Sequence, residues 1–190
     1  ESYAEGPRRT LRTSVRIADP VLYPEVGIYH PGIKGRISDT AKDLPEPVGN
    51  VGSVGILLMR SYILAGNTAH YDAVIGALEA KGLRVIPAFA SGLDARPAIE
   101  NFFLRNGVTQ VDAVLSLTGF SLVGGPAYND ARAAEEILAK LDTPYVSALP
   151  VEFQTLQQWR GSEQGLLPIE ATVMVAIPEL DGATGTLVFG

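Results

Sequence analysis

Glu179 and Asp181 flank a single leucine in the segment PELDG (178–182), where Pro178 and Gly182 constrain the backbone on either side. Two acids this close, set in a semi-apolar pocket, would have displaced pKa values and could accept protons or hold a divalent ion. The same spacing equally suits an ordinary Asp-Gly turn carrying a solvated glutamate. The chain has two histidines, His30 and His70, far apart in sequence. His70 falls in the first turn of a predicted helix, where the positive end of the helix dipole disfavours protonation. That leaves a neutral imidazole able to ligate or to shuttle a proton. A hydrogen-bonded boundary histidine is the competing reading, and it applies to His30 with more force. Neither histidine pairs at a metal-ligand spacing, so no resident metal site is expected. Glu135 and Glu136 fall on the solvent side of a helix and read as solubilising.

A second stretch, LTGFSLVGGPAYND (117–130), places Gly119, Gly124, Gly125 and Pro126 between an apolar run and a helix-like pattern. Such glycines either punctuate turns or let the backbone approach a ligand closely. They do not make a phosphate loop, because the chain contains no G-x-x-x-x-G-K-[ST]. The glycines of GNVGSVG (49–55) precede a strand, whereas a dinucleotide fingerprint follows one. There is no G-x-S-x-G elbow, which leaves Ser53 and Ser121 without a claim to be nucleophiles. The absence of cysteine excludes disulfides, thiolate catalysis and Cys-based zinc or iron–sulfur sites.

The elements that must position these residues follow from periodicity. Residues 1–53 carry six prolines and one short strand, EVGIYH (25–30), and read as an arm or linker that packs on something. From Val54 onward, apolar runs alternate with amphipathic stretches. VGILLM (54–59), LRVIPAF (83–89), VDAVLSL (111–117), PYVSAL (144–149) and TLVF (186–189) are predicted strands. Tyr71, Val74, Ile75 and Leu78 form one helical stripe, capped by Asn67 or Thr68 and closed by Gly82. Pro97 opens a second helix bearing Ile99, Phe102 and Phe103, which Gly107 closes. Ala134, Ile137, Leu138 and Leu141 form a third stripe, with Asn129 or Asp130 as cap. A short helix carries Phe153, Leu156 and Trp159, and residues 168–182 read as a further helix despite their β-branched content.

Successive βα units imply a doubly wound parallel α/β sheet, flavodoxin-like or Rossmann-like, with a proline-rich N-terminal arm (1–53) ahead of an α/β domain (54–190). Ligands of such sheets bind beyond the carboxyl ends of the strands. Five segments qualify: 60–70, 90–96, 118–130, 149–154 and 178–182. All are low in charge and rich in Gly, Ser, Thr, Asn and aromatics, which suits a large, partly apolar ligand or a protein surface; tight βα turns would account for the composition as well.

At 46% hydrophobic and 19% charged, 190 residues can bury a sizeable core. A net charge of −6 without a basic run argues against nucleic acid. No segment is apolar for the roughly 18 residues of a membrane helix. Both ends read as cut, so a piece of a longer polypeptide is expected.

The strings MRSYILAGNTAHYDAVIGALEAKGLRVIPAFASGLD, VDAVLSLTGFSLVGGPAYND and VAIPELDGATGTLVFG resemble the large porphyrin-binding subunits of the magnesium chelatase and cobaltochelatase family, as does YPEVGIYHPG upstream. The likeness covers the chain from about Ser14 to Gly190. LAGNTA and the PE-x-DG element are shared with the cobalt branch, while SLTGFSLVGGPA and AHYDA look more like the magnesium branch. The resemblance implies a parent protein that binds protoporphyrin IX and takes Mg²⁺ as a substrate ion in chlorophyll or bacteriochlorophyll biosynthesis. It also implies two AAA+ partners, of I and D type, that bind and hydrolyse the ATP, and a location in the cytoplasm or chloroplast stroma.

Metal insertion removes two pyrrole protons and strips water from a hard cation. Buried carboxylates or a neutral imidazole are the natural acceptors, and this chemistry, not a family motif, orders the catalytic candidates as Glu179, then Asp181 and His70. Gly119, Gly124 and Gly125 would admit a flat macrocycle, Phe120 and Tyr128 would contact its ring, and Asn67 joins them as a binding residue. The alternatives are a scaffold segment that docks the AAA+ partners or other parts of its own chain, and a cobaltochelatase subunit. The isolated piece is expected to be inactive.

Overall fold

The structure, a computed structural model, describes residues 19–47, 49, 51–125, 128–183 and 185–189; the first eighteen residues of the expected arm lie outside them. The strands are β1 (Val26–Tyr29), β2 (Ile37–Ser38), β3 (Gly52–Met59), β4 (Leu83–Ala90), β5 (Leu104–Arg105), β6 (Val108–Thr109), β7 (Ala113–Ser116), β8 (Gly124–Gly125), β9 (Tyr128–Asn129), β10 (Tyr145–Pro150) and β11 (Leu187–Phe189). Seven form one sheet in the order β11-β10-β7-β3-β4-β1-β2. The five from β11 to β4 run parallel. β1 lies antiparallel to both β4 and β2.

The helices are α1 (Arg60–Leu64), α2 (Ala69–Glu79), α3 (Arg96–Ala98), α4 (Ala131–Leu141), α5 (Leu156–Gly161), α6 (Pro168–Glu170) and α7 (Ile177–Leu180). They cover both sheet faces, and the strand pleat decides what each face receives. Ile56 and Leu58 of β3 pack with Tyr71 and Ile75 of α2. Leu57, between them, points the other way and packs with Ile99 and Phe103 after α3 and with Ile137 and Leu141 of α4. The crossover rule accounts for this division: the chain steps one way from β3 to β4, then back past β3 to β7 and on to β10. Right-handed connections put helices on opposite faces when the direction reverses. Each fully buried Leu, Ile or Phe contributes about 1.5–3 kcal/mol. The sheet is a doubly wound, mostly parallel α/β sheet.

Several local expectations are revised. The described part of the arm packs on the sheet itself, since β1 and β2 extend it at its β4 edge, and β3 begins at Gly52, two residues ahead of Val54. Arg60 fastens the preceding segment by donating to the carbonyls of Pro24 (2.9 Å) and Tyr23 (3.2 Å). Gly107 does not close a helix. Asn106 and Gly107 both have positive φ (52° and 76°) and form the turn of the β5–β6 hairpin, the conformation that Asn-Gly favours. Phe153 precedes α5, which starts instead from a capping box of Thr155 and Gln158. Residues 168–180 are helical throughout, but the run widens into a π turn at Ala171–Ala176, just ahead of Pro178, whose ring removes a donor.

Candidate functional site

Taken in chain order, the five parallel strands stand second, first, third, fourth, fifth across the sheet. This is the flavodoxin-type order, with its switch point between the first and third strands, here β3 and β7. A cleft of about 280 Å³ opens there. Met59, Ser61 and Tyr62 line it from the β3–α1 junction, His70 from α2, Leu117 to Phe120 from the β7 exit, and Leu149, Pro150, Glu152 and Phe153 from the β10 exit. Val173 and Met174 of the π turn line it too.

Three polar groups converge in this mainly apolar cleft. The Tyr62 hydroxyl donates to Oε1 of Glu152. The His70 ring meets Tyr62 edge-on, with centroids 5.7 Å apart and planes at 89°, and leans on Tyr71 at 4.0 Å. The Tyr71 hydroxyl accepts the Met59 N–H at 3.2 Å, which ties α2 to the end of β3. Burial, reinforced by the Glu152 hydrogen bond, pushes the Tyr62 phenol up to about 12. Tyr62 therefore stays a donor at neutral pH, and Glu152 its acceptor.

Burial also lowers the His70 pKa, against the opposing attraction of Glu152 and Asp72. The imidazole is neutral at neutral pH, the state expected from the sequence, with desolvation as the leading cause. A depressed histidine pKa favours the fold above the ordinary value near 6.5, and that contribution is lost as pH falls through the folded pKa. An NMR titration should accordingly give His70 a midpoint below 6.5, and Glu152→Gln should lower it further by removing a negative neighbour. A midpoint at or above 6.5 would contradict the burial argument.

The two acids of PELDG part company. Asp181 is 3% exposed, its Oδ2 accepting the Leu122 N–H at 2.5 Å and its Oδ1 the Ser121 hydroxyl at 3.1 Å. Burial raises its pKa, opposed by those two donors. Glu179 is exposed. Residues two apart on a helical turn face different sides, so the structure does not bring Glu179 and Asp181 together in one pocket. Neither is among the cleft-lining residues. His30 is buried and structural in its contacts: Nδ1 accepts the Gly32 N–H at 3.0 Å, and Nε2 lies 2.9 Å from Glu79.

Among the expected binding residues, Gly119 and Phe120 line the cleft. Gly119 has φ +77°, a left-handed conformation that glycine adopts freely. Gly124 and Phe120 line a smaller apolar cavity alongside, bounded by Leu93 and Ala95. A Cβ on Gly124 would fall 2.2 Å from the Tyr128 carbonyl oxygen, so the β8–β9 backbone already occupies that space. A Cβ on Gly125 would meet the Leu93 side chain. Tyr128 is 69% exposed on β9, and Asn67 is exposed in the loop before α2.

Tyr62 and Glu152 are cleft residues that sequence reasoning did not single out, and Phe153, expected on a short helix, lines the cleft instead. The one available signal was that Glu152 is the lone charge in an otherwise uncharged strand-exit segment, LPVEFQ. Among the described residues, no three acidic or histidine side chains converge as metal ligands, and no helix is long and apolar enough to cross a membrane.

A carboxylate and a neutral imidazole beside an apolar wall can accept protons from a flat, apolar ligand bearing N–H groups. Over 170 residues the chain is 59% identical to the magnesium-chelatase H subunit of Cereibacter sphaeroides, covering 90% of this chain and 14% of that protein. It is 44% identical to the chloroplastic magnesium-chelatase protein ChlH of Oryza sativa, covering 92% of this chain and again 14% of the relative. The chain thus spans about 14% of the length of the curated relatives it matches. A solved structure, the catalytic subunit of cobaltochelatase from Mycobacterium tuberculosis, superposes with a TM-score of 0.66 at 27% identity, over 92% of this chain and 14% of that one. The sequence model of the CobN/Magnesium Chelatase family matches residues 4–190, and the chain belongs to that family.

Proposed function

We propose that this chain is the part of a magnesium chelatase porphyrin-binding subunit that walls the porphyrin and receives its pyrrole protons as Mg²⁺ enters protoporphyrin IX. The observation that carries the reading is the Tyr62–Glu152–His70 cluster, set against Leu117, Phe120, Leu149 and Phe153 in the switch-point cleft. Insertion exchanges two pyrrole N–H protons for one divalent cation, so charge balances only if both protons find acceptors. Glu152 is the first acceptor in this reading and neutral His70 the second, with Tyr62 holding the Glu152 carboxylate in place. Phe153 and Phe120 offer ring faces to the macrocycle.

At about 280 Å³ the cleft lies at the lower end of small-molecule pockets, roughly 300–1,000 Å³. It would take one edge of the ring, and the other walls would come from the rest of the parent chain. The higher identity to the magnesium enzymes than to the cobaltochelatase structure supports magnesium over cobalt. AAA+ subunits of I and D type would supply ATP hydrolysis. Chlorophyll or bacteriochlorophyll biosynthesis, in the cytoplasm or chloroplast stroma, is the corresponding setting.

Titrating the complete subunit with deuteroporphyrin, a soluble porphyrin, and following tryptophan emission tests the proposal. Saturable quenching should appear, and Phe153→Ala should weaken binding about five- to tenfold through loss of ring contact. Quenching indifferent to Phe153→Ala, or no binding by the complete subunit, would sink the assignment of this cleft.

A further inference from the structure

Two buried carboxylates stand at the ends of the helical run from Pro168 to Asp181, and among the described residues neither is paired with a cation. Glu170, 0% exposed, accepts three hydrogen bonds: from the Phe153 N–H at 3.2 Å, the Leu167 N–H at 2.9 Å and the Gln154 side-chain amide at 2.5 Å. It thereby grips the β10 exit loop at the residue after Glu152. Asp181 grips the β7 exit loop through Ser121 and Leu122, next to Phe120. Between the two acids, the π turn presents Val173 and Met174, both buried, to the cleft.

Burying an ionised carboxylate without a cationic partner is costly, and an apolar side chain could fill either space at less expense. What a carboxylate does and an apolar group cannot is accept several N–H groups at once and fix where their backbone lies. Both acids spend that capacity on the two loops that face each other across the cleft. π turns, moreover, occur disproportionately at functional sites.

We infer that Glu170 and Asp181 are positioning residues, each clamping one of the facing loops to a shared helical strut and so setting the width of the cleft. Glu170 acts on the loop that carries Glu152 and Phe153, and Asp181 on the loop that carries Gly119 and Phe120. The inference rests on the proposed porphyrin reading, and its two clamps have distinguishable consequences. Loosening the Asp181 loop disturbs ring binding alone. Loosening the Glu170 loop also displaces the proton acceptor.

The test uses the complete subunit with its ATPase partners and the variants Asp181→Asn and Glu170→Gln, each of which leaves one carbonyl oxygen where two carboxylate oxygens accept. Asp181→Asn should raise the deuteroporphyrin dissociation constant and KM about tenfold, leave kcat within about twofold and shift the Soret band of the bound porphyrin. Glu170→Gln should raise KM similarly and lower kcat by about tenfold as well. A merely structural role would reduce the amount of folded subunit while leaving dissociation constant, Soret band and kcat unchanged in what remains, and that result overturns the inference. If either variant fails to fold, Ser121→Ala and Gln154→Ala, which remove one donor and keep the acid, should move the same quantities by about two- to threefold. Unchanged values in both of these would overturn it too. Hydrogen exchange at Leu122, Phe153 and Leu167 reads the clamps without porphyrin: faster exchange in the variants supports them even if the wild-type subunit binds no porphyrin, and unchanged exchange refutes them.

Discussion

Replacing Glu152 by glutamine in the complete subunit is expected to slow magnesium insertion by about a hundredfold or more, with porphyrin affinity held within about twofold. Glutamine keeps the shape of the side chain, and its carbonyl oxygen can still accept from the Tyr62 hydroxyl. It removes the negative charge and the basicity, and a positioned general base is worth about 10²–10⁴ in rate. The loss should therefore fall on kcat and leave binding alone. Tyr62→Phe, which keeps the carboxylate and frees it to turn, should cost much less, about three- to tenfold. Initial rates of magnesium porphyrin formation with the reconstituted ATPase partners measure both. An insertion rate within threefold of wild type for Glu152→Gln would transfer the acceptor role to His70, the other group in the cleft able to take a proton.

The largest stability effect expected from a small change is at Gly124. Gly124→Ala should destabilise the chain by about 2–4 kcal/mol, combining backbone strain of about 1–3 kcal/mol with overpacking against backbone that cannot move aside. Its φ is +122°, and the added methyl would fall 2.2 Å from the Tyr128 carbonyl oxygen and 2.8 Å from Asn129 Cα. Gly119→Ala is the informative contrast. There φ is +77°, but the nearest atom is Leu149 Cδ2 at 3.5 Å, an ordinary contact. Only the left-handed backbone is strained, which costs about 1–2 kcal/mol. Urea unfolding midpoints of the two variants measure the difference. Equal losses would mean that the β8–β9 hairpin does not close as tightly as described. The expected inequality separates two glycines that look alike in sequence: Gly124 is required by a hairpin, whereas Gly119 stands in the cleft.

Much of the scaffold was legible in the chain because its signals are local. Buried parallel strands read as unbroken apolar runs such as VGILLM, and α2 and α4 as stripes at helical spacing, since each pattern repeats within one element. That alternation sufficed for a doubly wound sheet, and the sheet sufficed to direct attention to strand exits at 60–70, 118–130 and 149–154, where the cleft lies. β1 was expected as the strand EVGIYH, but its place at the sheet edge, and the two-residue β2, were harder to see. Prolines crowd around them, and an antiparallel addition at a sheet edge leaves no periodic mark of its own.

The site itself was decided by tertiary structure. Tyr62 and Glu152 are 90 residues apart, and only the adjacency of the β3, β7 and β10 exits brings them together. Spacing made Glu179 and Asp181 look like a pair, yet a helical turn sends neighbours at i and i+2 to different sides, and burial selects Asp181 alone. Nothing local in PIEATVM distinguishes Glu170, and it becomes a clamp only because the β10 exit loop delivers donors to it. Composition and spacing by themselves determined the class of fold, the sheet edge at which the cleft opens and the lack of a phosphate loop or thiolate in this chain, because those depend on neighbours along the chain. Which carboxylate faces the cleft, which is buried as a strut and which faces solvent depended on contacts between distant segments, for which local sequence holds no record.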